Sequence, residues 1–149
     1  MYLPVLCQNF IDPETLTGIL PDNEHIGAGW TLDFSDEFNG TEVDTVKWTI
    51  NNSVKTRTPR PKIKVEKWFW RPENVEVRDG NLVLKVKKEN TTTMHCGSIY
   101  SRDKYMTQYG YFEARIQIAD VNKGTHAAFW LQGPDMGTVT GNGHNGAEI

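Results

Sequence analysis

Residues 73–88 read ENVEVRDGNLVLKVKK, and this stretch decides the fold class. Val75 and Val77 alternate with Glu76 and Arg78, the period-2 pattern of a half-buried strand. Asp79-Gly80 follows, a dipeptide that accepts the positive φ angles of a two-residue hairpin turn. Leu82, Leu84 and Val86 then alternate on the way back. The stretch therefore predicts an antiparallel hairpin with its turn at Gly80.

The same period recurs on both sides of it. In WTLDFSDEF (30–38), Trp30, Leu32 and Phe34 alternate with Thr31, Asp33 and Ser35. CGSIYSR (96–102) is a short strand candidate. YGYFEARIQIA (109–119) is a long one, with Phe112, Ala114, Ile116 and Ile118 on one face and Tyr111, Glu113, Arg115 and Gln117 on the other. HAAFWLQ (126–132) follows, then a glycine-rich loop from Gly133 to Gly146, then the start of a strand at Ala147-Glu148-Ile149. No window carries a helical stripe. Short strands separated by Gly, Asp and Asn turns predict an all-β sandwich or barrel. Residues 1–29, with Pro4, Pro13 and Pro21, read as an irregular N-terminal arm, and 30–149 as part of one β domain.

Composition sets outer bounds. The chain has 149 residues, 38% of them hydrophobic, with five Trp, five Tyr and six Phe, enough apolar surface for a core. A net charge of −3 gives no global footprint for nucleic acid. No apolar run reaches the ~20 residues of a membrane-spanning helix. The start, MYLPVLCQNF, lacks the basic and apolar regions of a signal peptide. Cys7 and Cys96 match no metal or redox spacing and read as thiols.

Alternation assigns the side chains that face outward. In HAAFWLQ, Ala127, Phe129 and Leu131 share one side, and His126, Ala128 and Trp130 the other. With Phe129 and Leu131 inward, Trp130 points out. Ala147 and Ile149 likewise turn inward and Glu148 outward. An indole beside a strand-borne carboxylate on a concave sheet suits sugar chemistry: the ring stacks on a pyranose while the carboxylate reaches the anomeric carbon. The plainer alternative makes Trp130 a core aromatic and Glu148 a solvated strand residue.

A second concentration is KTRTPRPKIKVEKWFWRPENV (55–75). Lys55 to Arg71 holds seven basic residues and one acid, a local charge of +6, and ends in Trp68, Phe69 and Trp70. Such interleaving suits nucleic acid. It also suits an anionic polysaccharide, whose sulfates pair with Arg while its rings stack on Trp. A solvated loop with two tryptophans plugging the core is the third reading. Pro59 and Pro61 favour an extended loop over a central strand. GTVTGNGHNG (137–146) lacks the Gly-Lys-Ser/Thr ending of a phosphate loop and reads as a connection. The four histidines show no ligand spacing. Glu37 and the turn at Gly80 are candidate oxygen donors to a structural calcium.

Five blocks now carry a family likeness: GWTLDFSDEFNGTEVDTVKW, ENVEVRDGNLVLKVKKE, YGYFEARIQI, HAAFWLQ and NGAEI. In order and spacing they resemble glycoside hydrolase family 16, from about Gly29 to the end. The resemblance implies a β-jelly roll with a concave polysaccharide cleft. It also implies a signature strand of Glu, an apolar residue, Asp, one or two apolar residues, and Glu. Glu148 matches the first position, the nucleophile, and Ile149 the second. The assisting Asp and the acid/base Glu are then expected beyond Ile149, in a further portion of the same domain that would be this chain's partner. By the same likeness, Trp130 resembles the ring under the scissile sugar. Trp70, Arg71, Glu73 and Asn74 resemble the glycone-side binding segment; Trp68 and His126 are added as cleft candidates. No catalytic cofactor is implied.

The expected function is endo-acting, retaining hydrolysis of internal β-linkages in an algal galactan or a β-1,3-glucan, by a secreted, periplasmic or cell-surface enzyme. The competing reading is a non-catalytic, carbohydrate-binding jelly roll. A nucleic-acid binder rests on residues 55–71 alone.

Overall fold

The computed structural model describes residues 10–16, 29–53, 64–120 and 126–133. The chain divides into two units, 1–109 and 110–149. Among the described residues the regular structure is strand, apart from one 3₁₀ turn. The all-β expectation holds.

In the first unit the strands are β1 (Thr49–Ile50), β2 (Lys67–Trp70), β3 (Val75–Arg78), β4 (Asn81–Leu84), β5 (Val86–Lys88), β6 (Thr93–Cys96) and β7 (Ile99–Tyr100). They form three small sheets. β1 pairs with β7, β3 with β4, and β6 lies between β2 and β5. The predicted hairpin is β3–β4, antiparallel, with Val75 opposite Leu84 and Val77 opposite Leu82. Asp79 (φ 52°) and Gly80 (φ 68°) both take positive φ, as a type I′ turn requires. The CGSIYSR segment contributes the end of β6 and all of β7.

The returning strand does not run on as one element. At Lys85 it leaves β3 and joins another sheet as β5, with Val86 opposite Cys96 and Lys87 opposite His95. The Lys85 backbone marks the exchange: its N–H donates to Asn74 O (2.8 Å) and its carbonyl accepts from Gly97 N–H (2.8 Å). β2 pairs with β6 in parallel, Trp68 beside Met94 and Phe69 beside His95. The basic approach to the tryptophans thus ends in an edge strand. Lys55 to Lys62 lie outside the described residues.

The 30–38 segment, expected as a strand, joins no ladder. Its polar side chains are used in a different way. Ser35 N–H donates to Phe10 O (3.1 Å), Asp12 N–H donates to Ser35 Oγ (2.9 Å), and the Thr15 hydroxyl donates to Glu37 Oε1 (2.8 Å). Side chains and one backbone bond tie 10–15 to 35–37 without a continuous ladder. The alternation still sorts faces. Phe34 packs against Tyr105 with tilted rings at 4.7 Å and meets Trp48 edge-on at 5.2 Å, and Phe10 lies 5.4 Å from Tyr105. The polar ends of this cluster are satisfied: Trp48 Nε1 donates to Asp36 (2.7 Å) and the Tyr105 hydroxyl to Asp33 (2.9 Å). Burial, then Asp33, raises the Tyr105 phenol above its ordinary value.

Asp12 anchors this junction. It accepts from Glu37 N–H (3.0 Å) and Glu14 N–H (2.9 Å), and those two bonds hold its carboxyl below the usual range. A depressed carboxylate stabilises the fold above its unfolded pKa and stops doing so as pH falls through its folded one. Wild type is therefore expected to be more stable than Asp12→Asn at neutral pH, the gap closing below about pH 4. Urea midpoints at several pH values measure this; a gap unchanged at low pH would contradict it.

The second unit departs most from expectation. Residues 110–120 form no strand, and 126–133 only a single bridging residue at Gln132. A ladder needs a neighbouring strand, and alternation specifies faces without supplying one. Phe112, Ile116 and Ile118 are exposed, and so is Tyr111 on the other face.

Candidate functional site

β2 delivers the candidate binding segment. Successive strand residues face opposite ways. Trp68 and Trp70 therefore share a face with their neighbours Met94 and Cys96, while Phe69 shares the other with His95. Trp68, Phe69, Trp70 and the buried Cys96 line a half-open crevice with no room for a water molecule. Trp68 Nε1 is buried and has no acceptor among the described residues.

Beyond Trp70 the chain turns sharply. Arg71 N–H donates to Cys96 O (3.0 Å), continuing the β2–β6 register, and Pro72–Asn74 form a 3₁₀ turn closed by Asn74 N–H to Arg71 O (3.0 Å). Proline suits the turn's start, where no N–H is needed. The Arg71 guanidinium lies over the Phe69 ring, 4.8 Å from its centroid, in cation–π geometry. The ring's opposite neighbour is His95, edge-on at 6.0 Å. Glu73 is exposed.

Asn74 stands apart from these groups. It is 3% exposed, and its amide donates to His95 O (2.9 Å) and Lys85 O (3.2 Å). Both N–H donors are thus committed to backbone carbonyls. Asn74 pins the 3₁₀ turn to β5 and β6, and so holds the Arg71–Glu73 segment in place.

In the second unit Trp130 is 49% exposed, Phe129 is 53% exposed, and His126 is exposed. Alternation placed Phe129 inward and Trp130 outward; the two are equally open here. Glu148 lies outside the described residues. For calcium, Glu37 Oε1 already accepts the Thr15 hydroxyl, and Asn39 Oδ1 lies 3.3 Å from the point where a Gly80 side chain would begin. Among the described residues, no three His, Cys, Asp or Glu side chains gather as a metal centre.

The sequence did not reveal Phe69 as the ring beneath Arg71, nor His95 as its neighbour. The only available signal was the parallel register, which joins residues 26 apart (Phe69 and His95).

The family model for the Beta-porphyranase A–D, GH16 domain matches residues 30–148. The chain belongs to glycoside hydrolase family 16. Its strand-built architecture is of that family's all-β, jelly-roll class. Beta-porphyranase D of Zobellia galactanivorans is 34% identical over 80% of this chain and 28% of its own length. Kappa-carrageenase of Pseudoalteromonas carrageenovora is 30% identical over 70% of this chain and 28% of its own. Glucan endo-1,3-beta-glucosidase A1 of Niallia circulans is 28% identical over 70% of this chain and 17% of its own. The chain thus spans less than a third of the length of each. No solved structure matches it. Among the described residues no helix is long and apolar enough to cross a membrane.

Proposed function

We propose that this family 16 segment forms the glycone-side wall and the nucleophile of an endo-acting, retaining hydrolase of a β-linked algal galactan. The carrying observation is the porphyranase-type family match over residues 30–148, which includes Glu148. Arg71 supports it. Its flat, always-charged fork, held on an aromatic ring at the end of a basic run, suits the sulfate of a substituted galactan. In a retaining mechanism two carboxyl groups lie about 5–5.5 Å apart across the scissile bond. Glu148 attacks the anomeric carbon to form the glycosyl ester. The second carboxyl, from polypeptide following Ile149, protonates the leaving oxygen and then activates water. Trp130 supplies a ring on which the sugar stacks. Action outside the cell follows from the size of such a substrate.

The glucanase relative keeps a β-1,3-glucan as the second reading. Reducing-sugar release from agar, porphyran, carrageenan and laminarin separates the two. Release from the galactans is expected, falling about two- to fivefold on a sulfated galactan between low and high salt, because an exposed ion pair is screened. Release from laminarin alone would establish the glucanase reading; the assay uses the polypeptide that carries both carboxyl groups, and release from none by it would leave a carbohydrate-binding module.

A further inference from the structure

Asn39, Gly40 and Thr41 are all exposed, in the bend that follows the 30–38 segment. Asn-Gly is a chemically labile pair, because glycine puts no Cβ in the way when its nitrogen approaches the preceding side chain. The same dipeptide recurs at 142–143 and 145–146, outside the described residues. At 39–40 the reacting groups are open. A Cβ at Gly40 would meet nothing nearer than the Glu42 carbonyl oxygen at 3.6 Å. The Gly40 N–H donates to no acceptor among the described residues, so no hydrogen bond has to break before it loses its proton.

The Asn39 side chain is also a tether. Its amide donates to Glu14 Oε2 (2.7 Å), alongside the bonds that Asp12 and Thr15 make to Glu37. An amide can donate to a carboxylate; a second carboxylate cannot. A negative charge at position 39 would therefore exchange a hydrogen bond for a repulsion. The junction has little room for another charge of that sign, since it already holds Asp12, Asp36 and Glu37.

We propose that Asn39-Gly40 is a self-modification site, whose slow, one-way deamidation loosens residues 10–15 from residues 35–39. The Gly40 backbone nitrogen, having lost its proton to hydroxide, attacks Asn39 Cγ. The new N–Cγ bond forms and the Cγ–Nδ2 bond breaks. The side-chain nitrogen takes a proton from water and leaves as ammonia. Water then opens the five-membered imide at either of its carbonyls. One opening restores the backbone, with an aspartate at position 39. The other routes the main chain through Cγ, as isoaspartate. The net change consumes water and releases ammonia, with no oxidation or reduction. Either product carries a new negative charge beside Glu14.

Warm incubation of the purified protein at mildly alkaline pH, followed by peptide mapping, tests the chemistry. The wild-type peptide holding residue 39 is expected to gain about 1 Da, NH₂ exchanged for OH, with isoaspartate among the products. Gly40→Ala, whose methyl meets no close neighbour, should slow the conversion at least about tenfold. No conversion at position 39, or equal rates in the two proteins, would overturn the site. Asn39→Asp tests the consequence by installing the charge directly. Ser35 N–H is held by Phe10 O and Glu37 N–H by Asp12. Hydrogen exchange at these two amides should quicken about two- to fivefold in Asn39→Asp, the scale of one exposed charge pair. In a Glu14→Gln background the same substitution should change exchange far less, because the opposing carboxylate is gone. Exchange as slow as wild type in Asn39→Asp, or a quickening undiminished by Glu14→Gln, would overturn the loosening.

Discussion

Gly97→Ala is expected to destabilise the first unit by about 3 kcal/mol, at the upper end of overpacking in a fixed site. The added methyl would begin 2.2 Å from the Asn74 carbonyl oxygen and 2.9 Å from its carbon, with Val75 Cγ2 at 3.2 Å. The two nearest atoms are backbone and cannot rotate aside. Nor can that carbonyl shift alone. It accepts Lys85 N–H (2.8 Å), while Gly97 N–H is bonded to Lys85 O (2.8 Å). The Asn74 amide holds the same carbonyl of Lys85 and that of His95. Moving any one of these groups lengthens several hydrogen bonds, and each buried group left unpaired costs about 1–3 kcal/mol. Gly40→Ala is the control. Its added methyl would meet nothing nearer than 3.6 Å, and the change should stay within about 0.5 kcal/mol. Urea unfolding followed by tryptophan fluorescence reads both. Equal midpoints for the two variants would show that the close approach at Gly97 is not a constraint. A milder loss of sugar affinity should accompany the destabilisation, because the same knot positions Arg71 and Glu73.

That knot also shows what the sequence could and could not reveal. The Asp79-Gly80 turn was legible because a positive φ at two successive residues is a local requirement, and few residue pairs meet it cheaply. The exchange of partners at Lys85 was not. Leu82, Leu84 and Val86 keep an unbroken period through it, and period reports faces rather than neighbours. Asn74 matched a binding position by likeness, yet its burial follows from contacts with residues 11 and 21 positions away, Lys85 and His95. Phe34 reached its aromatic cluster as its alternation suggested, without the ladder that alternation usually accompanies. The alternation of 109–119 was read as a strand, yet the segment joins no ladder and both its faces are exposed. The all-β class was therefore readable from local chemistry, and the pairing that places Arg71, Phe69 and His95 together was not.

The other large effect belongs to the proposed chemistry. Glu148→Gln is expected to lower kcat on the preferred galactan by at least about a thousandfold, the scale on which loss of a covalent nucleophile is felt. Glutamine keeps the size and planarity of the side chain, so the proposed sugar site should keep its shape. An amide nitrogen or oxygen, however, is a poor nucleophile at the anomeric carbon, and no glycosyl ester forms. The loss should appear in kcat with KM nearly unchanged, since binding rests on other residues. Trp130→Ala should show the opposite split. Removing a stacking ring raises KM by about five- to a hundredfold, on the scale of base–aromatic stacking, ~1–3 kcal/mol, while the carboxylate still attacks. The pair of variants thus separates a catalyst from a platform on one stretch of chain. Were Glu148→Gln to keep more than about a tenth of the wild-type rate, a double displacement through this carboxylate would be untenable. Were both variants to lose binding alone, the groove would hold sugar without cutting it.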